Sequence, residues 1–177
     1  MGFFELIKNR GLLEIVDERD NITGYEYEHN IHKKGLRHKS INIIITDKKL
    51  TDRNHKLIIA FKYGNFDLPI KTHPKMSQSY LERACDEVEK LFCDKNSEVK
   101  LTEIGRYKDD FQSDLENTCL FHFIYNGNLE DTKNTKFIWV KPSDLIKDLI
   151  KYNNYSHSLK KAFKITHKNW SKINSPF

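Results

Sequence analysis

The run Ser40 to Thr46, SINIIIT, is β-branched and almost wholly apolar. A strand with one wet face alternates polar and apolar side chains, so this run reads as a central strand buried on both faces. Any fold for the chain has to be built around it.

The stretch Ile70 to Phe92, IKTHPKMSQSYLERACDEVEKLF, reads as a loop leading into a helix. Leu81, Ala84, Cys85, Val88, Leu91 and Phe92 recur at intervals of three and four, which makes one apolar stripe. Ser79 stands three residues before Glu82, the spacing of a capping box, so the helix starts at about Tyr80. The stripe sets the register with Val88 inward. A shift by one residue turns carboxylates into the core, at roughly several kcal/mol for each unpaired charge.

Leu12 to Val16 and Ile22 to Tyr27 flank the turn cluster Asp17 to Asn21 and read as a hairpin. Further strands are expected around Lys56 to Phe61, Leu101 to Tyr107, Thr118 to Tyr125 and Lys136 to Val140. Pro142 and Ser143 stop the last strand and cap a helix from Asp144 to about Lys151. A final helix runs from about Ser156 to Thr166. With 177 residues, 38% hydrophobic and 31% charged, and no break in composition, the chain reads as one α+β domain over 1–177. Cys85, Cys93 and Cys119 are odd in number and lack CxxC spacing, which argues against a disulfide framework or a zinc knuckle. A reducing, cytoplasmic setting is expected. No stretch approaches the roughly 18 apolar residues of a membrane span, and the N-terminal MGFFELIKNRGLLEIVD carries acidic residues too early for a secretory signal. The net charge of +5 suits an anionic ligand, and equally a lysine-rich codon bias.

Three stretches, in order, carry a resemblance to the Nudix superfamily, and within it to the isopentenyl-diphosphate-isomerase subgroup. LEIVDERDNITG (Leu13 to Gly24) is similar to that subgroup's VDE-x-G-x-x-x-G hairpin. HKKGLRHKSINIII (His32 to Ile45) is similar to its H-x-x-G-L-x-H-R-A segment. Ile104 to Tyr107, Glu116 to Tyr125 and the closing FIWVKPSDLIKDL match its later strands and terminal helix. The resemblance implies a Nudix fold, a mixed central β-sheet sandwiched by helices. It also implies a diphosphate-containing small molecule as partner and a divalent cation, Mg²⁺ or Mn²⁺, as cofactor.

The family box is G-x5-E-x7-R-E-U-x-E-E-x-G-U, with U apolar. With Val88 at U, Thr72 takes the first glycine position and Gln78 the isolated glutamate. Asp86 stands at the arginine and Glu87 at the next glutamate. Lys90 and Leu91 occupy the two metal-binding positions and Cys93 the last glycine. Only Glu87 is kept of four acids. Magnesium takes hard oxygen ligands, and a lysine ammonium repels it. Box hydrolysis is therefore expected to be weak or absent, with Glu87 and Glu116 the remaining catalytic candidates. Glu82, Asp86 and Glu89, at i, i+4 and i+7, offer another carboxylate edge, or simply a solvated one.

The isomerases bind a metal through histidines of the lead-in segment, a histidine in Cys-x-His-Pro, and glutamates on a later strand. The resemblance carries these roles to His32, His38, His73 in THPK, and Glu116 in ENTCLF. Three imidazoles and a carboxylate suit Zn²⁺ or Mn²⁺. Lys71 stands where the isomerases have a catalytic cysteine, and Thr118 where they have a second glutamate, which weighs against isomerisation. A pocket is expected between the central strand, the His73 loop and the Glu116 strand, with Phe66, Arg106 and Tyr107 as contributors.

Another feature points elsewhere. Lys160, Lys164, Lys168 and Lys172, with Lys161 beside them, form a basic stripe if helical. It suits phosphates of nucleic acid, or plain solvation. Three functions stay open: a diphosphate-binding module without efficient turnover, a metal-dependent hydrolase with a non-standard carboxylate and histidine site, and an RNA- or protein-binding module using the basic C-terminal face.

Overall fold

The computed structural model describes residues 11–50, 52, 54–92, 99–112, 114–130, 135–151 and 153–174, with side chains described up to His167 in the last helix. The N-terminal ten residues, Cys93, and the side chains of Lys168 and Lys172 therefore lie outside the described part. The expected hairpin forms from β1 (Leu12–Val16) and β2 (Ile22–Tyr27). Asp17 closes its turn by accepting from the backbone N–H groups of Arg19 and Asn21 at 2.8 and 2.9 Å. A short helix, α1 (Glu28–Lys34), follows at once. The sequence pattern does not announce it, because Ile31 alone of its residues is buried.

The central strand is β3 (His38–Thr46), and all but Lys39 of its residues are buried. It runs parallel to β8 (Asp114–Ile124), from His38 opposite Glu116 to Thr46 opposite Ile124. On its other side it pairs antiparallel with β6 (Ile70–Thr72) near its start and with β4 (Leu57–Lys62) near its end. The strand β5 (Asn65–Asp67) folds back on the far half of β4, and β9 (Lys136–Val140) runs along β4 from Leu57 to Phe61. β7 (Leu101–Phe111) pairs with β8, four residues longer than expected.

Alternate side chains of β3 and β8 enter different layers. Ile41, Ile43, Ile45, Cys119 and Phe121 pack against α2 (Tyr80–Phe92). Ile44 and Leu120 pack against α3 (Pro142–Lys151) and α4 (His157–Asn174). Helices thus cover both sides of the strand, and its polar side chains are buried along with its apolar ones.

The capping box forms as expected, with Ser79 N–H donating to Glu82 at 2.8 Å and Glu82 N–H to the Ser79 hydroxyl at 3.2 Å. The buried row of α2 is Tyr80, Ala84, Val88 and Phe92. Leu81 and Leu91, expected inside, are 50% and 40% exposed. The sheet meets the helix along a single i, i+4 row. Tyr80 enters that row because its hydroxyl finds acceptors in Asp20 at 2.9 Å and the Asn117 carbonyl at 3.1 Å. Ser143 lies inside α3 and does not cap it. Pro142 opens that helix, where a missing N–H costs nothing. Ser156 does cap α4, accepting from Leu159 N–H at 3.1 Å.

Candidate metal centre

On the α4 side of the sheet, the apolar surface gives way to a polar one towards the starts of β3 and β8. His38, Ser40 and Asn42 share the parity of Ile44, and Glu116 and Thr118 share that of Leu120. Lys71 pairs with Asn42, Tyr107 with Thr118 and Asp109 with Glu116. Buried polar groups need partners, and here they find one another. Ser40 and Thr118 hydroxyls lie 2.7 Å apart, and the Asn42 amide donates to the Tyr107 hydroxyl at 2.6 Å.

Three imidazoles converge at the end of this row. His32 comes from α1, His38 from the first residue of β3 and His73 from the loop after β6. Gly35, at φ +61°, ends α1 in the left-handed conformation that glycine favours and turns the chain back, so five residues suffice between the first two histidines. One ring nitrogen of each lies within 4.8 Å of the other two, and the ring centroids are 4.8 to 5.3 Å apart. Glu116 adds a carboxylate, with Oε1 3.4 Å from His73 Nε2 and 3.8 Å from His38 Nε2.

Each ring is held by its δ nitrogen. His38 Nδ1 meets the Leu36 carbonyl at 2.9 Å, His32 Nδ1 meets Asp114 at 2.9 Å, and His73 Nδ1 meets Glu28 at 3.0 Å. A carbonyl only accepts, so His38 Nδ1 carries the hydrogen and Nε2 is a bare lone pair. That Nε2 is fully buried and has no hydrogen-bond partner among the described residues. Burial, with repulsion from His73, pushes the His38 ring down to about 4, so it stays neutral. His73 is the opposite case. Burial disfavours its charge, but hydrogen bonds and attraction from Glu116 and Glu28 outweigh burial and raise it to about 9. Glu116 also has burial against its charge, and the His73 contact still brings it down to about 2.

This donor set fits a divalent ion. The residues that could hold it are His32, His38, His73 and Glu116, and the unpartnered buried nitrogen of His38 suits a metal ligand. A tetrahedral zinc site spaces its nitrogens by roughly 3.3 Å, so the rings need to close by at most about 1.5 Å. Glu28 and Asp114 orient two of the rings, and sequence reading missed both. Glu28 stands four residues before His32, and Asp114 two before Glu116, so each shares a face with a candidate ligand.

Glu87 is not part of this group among the described residues. It sits on α2, across the sheet, with Arg83 at 2.7 Å and Lys90 at 3.9 Å. Glu82 is used in the cap, and Asp86 accepts from Gln78 at 2.7 Å. Lys90 is held outward with its side chain 71% exposed.

Beside Glu116 a cavity of about 710 Å³ opens where β5 and β6 diverge, with Lys62, Lys71, Asp109, Phe111, Tyr155 and His157 in its wall. Phe66 does not line it but stacks on Tyr155 at 4.9 Å. Arg106 and Tyr107 instead line a second cavity of about 310 Å³, where Arg106 lies over the Tyr80 ring.

No protein-family model matches the sequence, and no curated protein matches it significantly. Solved structures do resemble it. The protein DR0079 from Deinococcus radiodurans superposes with a TM-score of 0.70 at 13% identity, covering 86% of this chain and 97% of that one. A C. elegans Ap4A hydrolase gives 0.51 at 12% identity, over 76% and 98% of the two chains. A Nudix-family hydrolase from Clostridium perfringens gives 0.50 at 12% identity, over 75% and 98%. The layered sheet, its strand order and these likenesses agree: the chain has the Nudix fold.

Proposed function

We propose that the protein recognises an organic diphosphate beside a divalent ion held by His32, His38, His73 and Glu116, and that hydrolysis through the Nudix box is lost. One observation carries this reading. All three imidazoles are pinned through Nδ1, so their ε nitrogens face inward, that of His38 bare and that of His73 shared with Glu116, which is itself a candidate ligand. Nitrogen-rich donors favour Mn²⁺ or Zn²⁺ over Mg²⁺. When bound, the ion supplies positive charge to neutralise phosphate oxygens. Lys62 and Lys71 add charge from the cavity wall, and Phe111 and Tyr155 offer apolar surface to the organic part.

The sequence resemblance to the isomerase-like subgroup stops short of its chemistry, since Lys71 and Thr118 stand in place of the cysteine and the second glutamate. One of the solved proteins of this fold is named for hydrolysing Ap4A, a phosphoanhydride, which supports a related ligand class here. The free thiols of Cys85 and Cys119 suit the cytoplasm, and no helix among the described residues is long and apolar enough to cross a membrane. The nucleic-acid reading loses part of its basis because Lys161 turns to Asp109 at 3.2 Å.

Elemental analysis and calorimetry test the proposal. The purified protein is expected to carry about one Mn²⁺ or Zn²⁺ per chain and to bind ADP, UDP-glucose or geranyl diphosphate more tightly with the metal than without. A protein that takes up neither ion and binds none of the three refutes it.

A further inference from the structure

We propose that His157 and Asp109 form an acid–base pair serving the cavity beside the metal centre, through which a bound diphosphate is hydrolysed without the Nudix box. The proposal rests on the diphosphate reading above. Asp109 is the cross-strand partner of Glu116, on the same face of the sheet. Such neighbours have Cβ atoms about 5 Å apart, so the pair stands one strand away from the metal ligands. Asp109 is only 4% exposed. His157 Nε2 meets its Oδ1 at 3.0 Å, and Lys161 Nζ meets the same oxygen at 3.2 Å.

The Phe111 ring lies almost flat on the imidazole, with centroids 4.4 Å apart and planes at 15°, and fixes its orientation. A carboxylate accepts, so Nε2 carries the hydrogen and Nδ1 is the basic atom. Nδ1 makes no hydrogen bond among the described residues. A carboxylate holding one nitrogen while the other stays available is the geometry that orients a histidine base. Lys161 already neutralises Asp109, so the imidazole is not needed for charge balance. Its side chain also stays 40% exposed and lines the cavity together with Glu116.

In the step this allows, a water in the cavity forms a bond from its oxygen to a phosphorus of the diphosphate, and His157 Nδ1 takes its proton. The bond from that phosphorus to the bridging oxygen breaks, and the electron pair leaves with the departing phosphate. His157 then returns the proton to solvent.

The test uses the full chain loaded with Mn²⁺ and the three probes ADP, UDP-glucose and geranyl diphosphate, with calorimetry for binding and phosphate or phosphate-ester release for turnover. At least one probe that binds is expected to be hydrolysed. His157→Ala then lowers kcat by about 100-fold or more, leaves KM within about threefold, and regains part of the rate in added imidazole. Asp109→Asn lowers kcat in the same direction. A probe that binds but is not turned over by any preparation overturns the pair, as does an unchanged kcat in His157→Ala. A lowered kcat without imidazole rescue, accompanied by a lower melting temperature, marks a structural tie and overturns it too. Binding of no probe at all is a different result, which removes the diphosphate reading along with the pair.

Discussion

Arg83 holds the Glu87 carboxylate at 2.7 Å, one helical turn away, and the same guanidinium donates to the Thr72 hydroxyl at 2.8 and 3.1 Å. Glu87, which the sequence resemblance puts at a box position, is thus neutralised by its own helix, and it lies across the sheet from the histidines; a structural ion pair is the role we propose for it.

Glu87→Gln is therefore expected to leave the metal content of the protein unchanged, while His38→Gln lowers metal affinity by at least about 100-fold, more than the loss of an outer-shell partner causes. Chelator competition on both variants decides it. A metal lost from the Glu87 variant and retained by the His38 variant returns the site to the box helix.

Metal affinity is expected to rise with pH. His73 sits at about 9 because Glu116 and Glu28 stabilise its imidazolium against burial, and a ligand nitrogen must first give up that proton. Below pH 9, Zn²⁺ affinity is expected to climb about tenfold per pH unit, with one proton released per ion. The sign reverses for the metal-free fold. A raised histidine stabilises fully below its unfolded value of about 6.5 and progressively less as pH climbs through 9. Competition titrations at pH 6, 7 and 8 give the slope, and a flat profile contradicts the His73 assignment.

Acid is expected to weaken the fold from about pH 6.5 downwards. His38 and His122 are both buried, and burial lowers each to about 4, helped by His73 in the first case and His55 in the second. The unfolded chain binds these protons from about pH 6.5 downwards while the native state refuses them, so stability falls between 6.5 and 4. The loss is on the order of 3 kcal/mol for each ring at most. Glu116, at about 2, adds its own loss only below the ordinary glutamate range. Urea midpoints measured from pH 7 to 4.5 follow this fall. His122→Gln, which keeps a donor towards the Thr46 hydroxyl now met at 2.6 Å, is expected to flatten it.

Strand and helix placement was largely legible. Val88 points inward as its periodicity requires, the Ser79–Glu82 cap closes, and β9 spans the expected Lys136–Val140. What escaped was short or exposed. β5 and β6 have three residues each, too few to show a period, and α1 buries Ile31 alone. Leu81 and Leu91 misled because apolar character marks a stripe and does not say how wide a surface will cover it.

The site divides along the same line. His32, His38, His73 and Glu116 were readable by residue type and order, since imidazole and carboxylate chemistry belongs to the side chain itself. Their convergence was not, because 84 positions of chain separate His32 from Glu116 and only the parallel pairing of β3 with β8 brings them together. Glu28 and Asp114 stand at short spacings from one candidate ligand each, yet they contact others, His73 and His32, which no local spacing foretells. Sequence alone decided which chemical groups and which layers this protein has. Folding decided which groups meet, because contacts across a sheet depend on strand register, a property no local stretch of the chain contains.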